Sequence, residues 1–286
     1  LGHQTDIVKD IDLAADYWVR LKSLRARVEA AKAGQEMLGI PSMFSPIDVL
    51  YGGWQNGDFV VIMGWTGMGK TMFTSRLALN AWLMGKTPLY LSLEMDDKQF
   101  GYRIDTMLAE GKFSQTSLIN GRNISTEQYE FWAKEAYEQK HPFYVVTNEG
   151  LDEVTQNTVQ QKIEQYQPDI VFLDYHSLFD DSKKGRTETE RHKNLSKDFK
   201  RLAVQYAIPI VDVVAVTMSE GHMDRPPELN EVAWSKQLAY DSDLVLSVVK
   251  QGQNMTVAAK KSRRSELFAF DILWDFDRGR AIYQEI

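Results

Sequence analysis

Cysteine is absent from this chain, which excludes disulfides and thiolate metal sites and fits a reducing compartment. Histidine is scarce: His3, His141, His176, His192 and His222 are too scattered along the sequence to suggest a ligand cluster. No apolar run approaches the ~20 residues needed to cross a bilayer, so no membrane contact is expected. The opening "LGHQTDIVKDIDLA" is too polar and acidic for a secretory signal, and Leu1 in place of Met points to a processed or trimmed chain. Basic charge is in deficit as well, with 33 Lys and Arg against 40 Asp and Glu and a net charge of −7. A domain that grips nucleic acid through a broad basic face is usually basic overall, so any such contact here must be a local strip.

What remains is an ordinary globular mixture, 43% hydrophobic, in a chain of 286 residues that suits one large α/β domain with a tail. Residues 12–33 carry Trp18, Leu21, Leu24 and Val28 at helical steps; they read as a helix packed either on its own core or, as an arm, on a neighbouring subunit. The Gly- and Pro-rich stretch 39–58 reads as a loop into the main domain. We therefore expect a linker helix or arm in 1–38 and one catalytic domain in 39–286. Short apolar segments at 58–64, 87–95, 168–175 and 208–216 alternate with helical ones at 70–85, 96–111 and 193–207. That alternation predicts an α/β fold, a mostly parallel sheet with helices on both faces. The extended segments 243–250, 255–260 and 267–276 follow one another without helices and predict an antiparallel C-terminal extension.

"GWTGMGKT", Gly64 to Thr71, matches G-x-x-x-x-G-K-[ST] between an expected strand and an expected helix. Gly64, Gly67 and Gly69 allow the tight turn, and with Thr66 and Met68 they aim backbone N–H groups at phosphate oxygens. Lys70 is expected on the β- and γ-phosphates of ATP, and the Thr71 hydroxyl on Mg²⁺. Asp174, after the apolar run of "IVFLDY", is the matching acid for the metal. Glu94 in "LSLEM", one strand over from the phosphates, is placed to act as general base on an attacking water.

With these motifs in hand the chain resembles the ATPase domain of DnaB-type replicative helicases, a RecA-like P-loop family that includes phage enzymes. The pieces that carry the resemblance are "GWTGMGKT", "YLSLEM", "VFLDYHSL", "LSKDFKRLAVQYAIPI", "LAYDSDLVL" and "AAKKSR", spread over about residues 39–263. The resemblance implies a homo-hexameric ring around single-stranded DNA, ATP held between subunits, 5′→3′ unwinding of duplex, and Glu94 as the base. It also implies that Lys261 and Arg263 reach in trans to the neighbour's γ-phosphate, which explains two of the four cations in "VAAKKSRRSE". A primase or helicase loader is the implied protein partner, and the bacterial or phage-infected cytoplasm the implied location. The partner-binding N-terminal domain of bacterial relatives is absent from these residues, as expected for a truncated chain or a short phage-type enzyme.

The chain departs from the family at two places. Aligned on Pro209, Ala215 stands where the family carries a Gln, and "DYHSL" has His176 and Ser177 where "DYLQL" is typical. Two loops are implied to face the DNA channel, 179–194 and 217–229. The first offers Lys183, Lys184, Arg186, Arg191 and Lys193 as a basic collar when repeated around a ring. Two other readings share these motifs: a RecA-like recombinase or signalling ATPase, and a non-motor ATP-binding assembly or loading partner.

Overall fold

The computed structural model describes residues 12–15, 17–32, 39–138, 141–150, 153–217, 224–232 and 234–283. Two units divide the chain, Leu1–Leu38 and Gly39–Ile286. The first contains helix α1, Tyr17–Lys32, along which Trp18, Leu21, Leu24 and Val28 are exposed.

The second unit is built on one nine-stranded sheet. Its strands in chain order are β1 (Phe59–Trp65), β2 (Pro88–Ser92), β3 (Tyr144–Thr147), β4 (Ile170–Asp174), β5 (Ile210–Val216), β6 (Leu244–Gln251), β7 (Asn254–Ser262), β8 (Ala269–Asp275) and β9 (Arg280–Tyr283). Across the sheet they run β3-β2-β4-β5-β1-β6-β7-β8-β9. The first six in that order pair in parallel, and β6 to β9 continue as antiparallel hairpins. The expected parallel core and antiparallel extension are both present, and β9 adds a closing strand that the sequence pattern did not mark.

The central strands are apolar throughout because both faces are covered. In β1, Val60 and Ile62 enter one core while Phe59, Val61, Met63 and Trp65 enter the other. Helices α2 (Lys70–Leu83) and α3 (Asp97–Leu108) pack on the first face through residues such as Phe73, Leu77, Phe100 and Ile104. Two shorter helices, α4 (Gln115–Asn120) and α5 (Thr126–Tyr137), follow α3. On the second face lie α6 (Gln156–Tyr166), α7 (Glu188–Tyr206) and α8 (Ser235–Asp241), contributing Val159, Ile163, Leu195, Phe199 and Leu238. Asp96 starts α3 by accepting the Gln99 amide at 2.8 Å, and Thr187 starts α7 by accepting that of Glu190 at 3.2 Å. Every strand of the parallel core except β6 thus ends where the chain leaves for a helix, and the motif residues sit at that edge.

Candidate active site and nucleic-acid interface

The loop between β1 and α2 closes tightly against the sheet. A Cβ on Gly64 would come within 2.7 Å of the Val248 carbonyl oxygen, so only glycine lets β1 lie this close to β6. Gly69 is the N-cap of α2 with φ 83°, a left-handed conformation that leaves the first amides of α2 pointing into the cleft. The Lys70 ammonium folds back over the loop and donates to the Trp65 carbonyl at 3.0 Å. Burial pushes its pKa below the usual lysine range, with Asp174 and Glu94 pulling the other way.

Asp174 ends β4 and is 2% exposed. The Tyr90 hydroxyl donates to its Oδ2 at 2.7 Å, and the Thr71 hydroxyl to its Oδ1 at 3.4 Å. Burial raises its carboxyl to about 6, against the lowering effect of those two hydrogen bonds. A buried carboxylate that close to a hydroxyl at the phosphate loop is the donor set a small hard cation takes. Glu94 lies two residues beyond the end of β2, exposed, on the turn into α3. Together with Thr66, Lys70, Thr71 and Asp174 it lines one cleft of about 700 Å³. The loop, the metal-type acid and the candidate base, distant in sequence, therefore share one cavity.

Two further features of the cleft were not read from the sequence. Arg103 on α3 lines it, with its Nε enclosed and without a protein partner. Burial lowers its pKa, while Tyr90, Asp174 and Glu94 favour its charged form. The available signal was helical spacing, since Gln99 and Arg103 are four apart and both face the cleft. On the far wall Lys250 sits 3.8 Å from the centroid of the Phe276 ring, and that ring stacks on Trp274 at 5.6 Å. Nothing local in "DILWDFDR" marks Phe276 as a cleft residue; the successive antiparallel pairings from β6 through β9 bring it there.

The four cations of "VAAKKSRRSE" take separate places. Lys260 pairs with Glu228. The Lys261 ammonium donates to the carbonyls of Ala239 and Ser242, and Arg263 donates to the Tyr240 carbonyl and pairs with Asp243 at 3.2 Å. Neither lines the cleft of its own chain. Burial lowers Lys261 to about 8, with the neighbouring Arg263 adding repulsion. Arg264 instead belongs to the fold: it grips Asp58 with both terminal nitrogens and lies 4.9 Å from the centroid of the Tyr51 ring. Asp58 is 1% exposed and also accepts from the Tyr51 hydroxyl and the Gln55 amide. Asp58→Ala is expected to destabilise the domain by roughly 2–4 kcal/mol in urea unfolding, below a fully enclosed pair because Arg264 can turn to water. A change under about 0.5 kcal/mol, the size of an ordinary surface effect, would refute that assignment.

In the first basic loop, Lys183 is paired with Asp198 at 2.5 Å, and Arg191 donates to the carbonyls of Ser177 and Phe179 at 2.8 Å each. Lys184, Arg186 and Lys193 are exposed. Of the second loop, residues 218–223 lie outside the described residues. No helix among the described residues is long and apolar enough to cross a membrane.

A parallel sheet carrying this loop at the end of β1, with the acid at the end of β4, defines a P-loop nucleoside-triphosphate site on a RecA-like core. Residues 39–274 match the family model of the DnaB-like helicase C-terminal domain, and the chain belongs to that family. It is 27% identical over 266 residues to a probable plasmid replicative DNA helicase of Chlamydia psittaci, covering 86% of this chain and 56% of that one. With the replicative DNA helicase DnaB of Helicobacter pylori strain 26695 it shares 28% identity over 219 residues, 75% of this chain and 44% of that one. The chain thus spans about half the length of these relatives. In fold it superposes on a solved ATPase-domain structure with a TM-score of 0.82 at 19% identity, covering 97% of this chain and all of that one. A structure of a DnaB-like replicative helicase described with its primase interactions gives 0.78 at 19% identity, covering 97% of this chain and 68% of that one.

Proposed function

We propose that the chain is the ATP-driven motor domain of a replicative DNA helicase, acting as a homo-hexameric ring on single-stranded DNA. The observation that carries this reading is the convergence of Lys70, Thr71, Glu94 and Asp174 on one cleft in a chain of this family. The amides of Gly67, Gly69 and Lys70 and the positive end of α2 would hold the phosphates of ATP. Thr71 and Asp174 would hold Mg²⁺, which supplies positive charge to the phosphate oxygens. Lys70 leaves its resting bond to Trp65 for the phosphates, and Arg103 sets a second cation beside them. Glu94 takes the proton of the attacking water as its oxygen bonds to the γ-phosphorus; the bond to the β-phosphate oxygen breaks, giving ADP and inorganic phosphate. The Lys250–Phe276 wall offers an apolar, cation-backed face for the nucleotide base.

Lys261 and Arg263 would serve the cleft of the next copy, and the exposed apolar stripe of α1 would dock on that copy as an arm. Lys184 and Arg186 on the loop, with Lys193 in the early turns of α7, are the cations free to follow a DNA backbone, while Lys183 and Arg191 (also on α7) support the loop. Replacing Lys184 and Arg186 with Ala should weaken single-strand binding and flatten its salt dependence by about 0.7 in log–log slope for each phosphate no longer neutralised. Unchanged affinity and slope in a salt titration would remove the loop from the interface.

The deciding experiment is steady-state ATP hydrolysis with and without single-stranded DNA, with ring size from light scattering. DNA-stimulated turnover by six-membered oligomers, with strand displacement on a forked substrate, is the expected result. Turnover that ignores DNA would point to a non-motor ATPase, and stimulated turnover without displacement to a recombinase-type enzyme.

A further inference from the structure

β5 has one polar side chain, Asp212, in the run "IVDVVAV". It lies opposite Leu173 of β4 in parallel register and is completely enclosed. Its Oδ2 is bonded at 2.6 Å to Nδ1 of His176, which is also completely enclosed and stands two residues past Asp174. The His176 ring stacks on Trp234 at 4.6 Å, and His192 of α7 stacks on the same indole at 5.5 Å. Phe199 closes the edge of His176 at 5.9 Å. Scattered as they are in sequence, His176 and His192 meet with ring centroids 5.2 Å apart. No metal-binding group of His, Asp and Glu forms among the described residues.

For stability alone this cluster is a poor solution. His176 Nε2, Asp212 Oδ1 and His192 Nδ1 are buried with no protein partner. A pair of apolar side chains would fill the same space without that cost. Violations of this kind concentrate where a protein needs a defined alternative arrangement rather than maximal stability. The location fits such a need. Asp174 faces the α2 side of the sheet, at the nucleotide cleft, while His176 enters the opposite core with α7. The turn that follows Asp174, His176–Leu178, is held to α7 by Arg191 through the Ser177 carbonyl. Ala215 is the β5 residue in the cleft and has no polar group, so Asp212 is the polar side chain by which β5 can be drawn along with β4. Past β5, Trp234 packs on the cluster, and the Trp65 indole ties Arg225 to the phosphate loop by donating to its carbonyl at 3.0 Å.

We propose that His176 and Asp212 are positioning residues that lock the turn after β4 to β5, so that the state of the nucleotide at Asp174 is transmitted through the sheet to residues 224–232. The proposal rests on the helicase reading for its purpose, coupling of ATP state to DNA. Its geometry is independent of that reading.

The test is amide hydrogen exchange on the whole chain with and without Mg²⁺ and a slowly hydrolysed ATP analogue. It compares wild type with His176→Leu/Asp212→Ala, in which both polar partners are replaced together so that neither is left unpaired. In wild type the analogue slows exchange at least about fivefold in residues 213–217 and 224–232; in the double variant that slowing falls below about twofold, while Gly64–Thr71 stay protected. Asp212→Asn, which keeps an acceptor for the His176 N–H, retains most of the effect, and His176→Asn loses it. Equal slowing in the double variant would overturn the proposal, as would no slowing in wild type despite a protected phosphate loop. An unprotected phosphate loop in wild type would overturn the nucleotide reading itself, and with it the signal to be transmitted. Turnover separates the two further: the double variant keeps its unstimulated rate within about twofold but loses the DNA stimulation, which in wild type is the check on the helicase reading.

Discussion

Glu94→Gln is expected to lower ATP turnover by about 10²–10⁴-fold while leaving nucleotide affinity within a few-fold of wild type. The structure gives the reason for the split. Glu94 is on the exposed turn after β2, on the rim of the cleft, and makes no hydrogen bond to the loop that would hold the phosphates. Glutamine has the same shape and can still orient a water, but it cannot accept the water's proton. Single-turnover hydrolysis alongside binding of a fluorescent ATP analogue distinguishes this from a binding defect. A turnover loss under tenfold would mean that another group activates the water. Lys70→Ala should behave differently, because Lys70 lies inside the phosphate loop and its removal weakens binding as well as rate.

The second large effect concerns Arg263. In a single copy its guanidinium is held by Asp243 and the Tyr240 carbonyl, away from that copy's own cleft. If it serves a neighbour, Arg263→Ala should lower turnover by about 10³-fold or more with the oligomer intact. Mixing gives a sharper test. Lys70→Ala subunits keep their finger, and Arg263→Ala subunits keep their phosphate loop. Co-assembled in equal amounts, about one quarter of the head-to-tail interfaces combine an intact loop with an intact finger. Activity should therefore reappear on mixing two inactive proteins. Mixtures as inactive as either parent, with mixed rings demonstrated by mass, would refute a contribution in trans.

How far the sequence could be read depended on how local each signal was. The phosphate loop, the acid of "IVFLDY" and the α/β alternation are carried by consecutive residues, and the structure sets Lys70, Thr71 and Asp174 side by side. Strand β9 and helix α8 escaped because they are short and lack strong periodicity, and pairing with β8 or packing on α7 stabilises them. Arg103 and Phe276 escaped for another reason: each becomes part of the cleft only when α3 and the C-terminal hairpins are folded over it. The histidines show the limit most plainly. Read along the chain they form no cluster, yet β4, β5 and α7 bring His176, Asp212 and His192 into one buried contact. The cluster 260–264 misleads in the other direction, since four adjacent cations look like one patch but separate into two structural pairs and two candidate fingers.

Asp243 receives the Phe59 amide at 2.8 Å, the Lys200 ammonium at 2.6 Å and the Arg263 guanidinium at 3.2 Å. The carboxylate that steadies the foot of β1 is therefore also the resting place of Arg263. On the helicase reading, a copy that extends Arg263 to its neighbour gives up one of the two cations balancing that carboxylate. The strand carrying its own phosphate loop then rests on a less neutralised anchor. Giving a finger and gripping ATP become competing demands within a single subunit. A ring of such subunits would have a built-in reason not to fire all its sites at once.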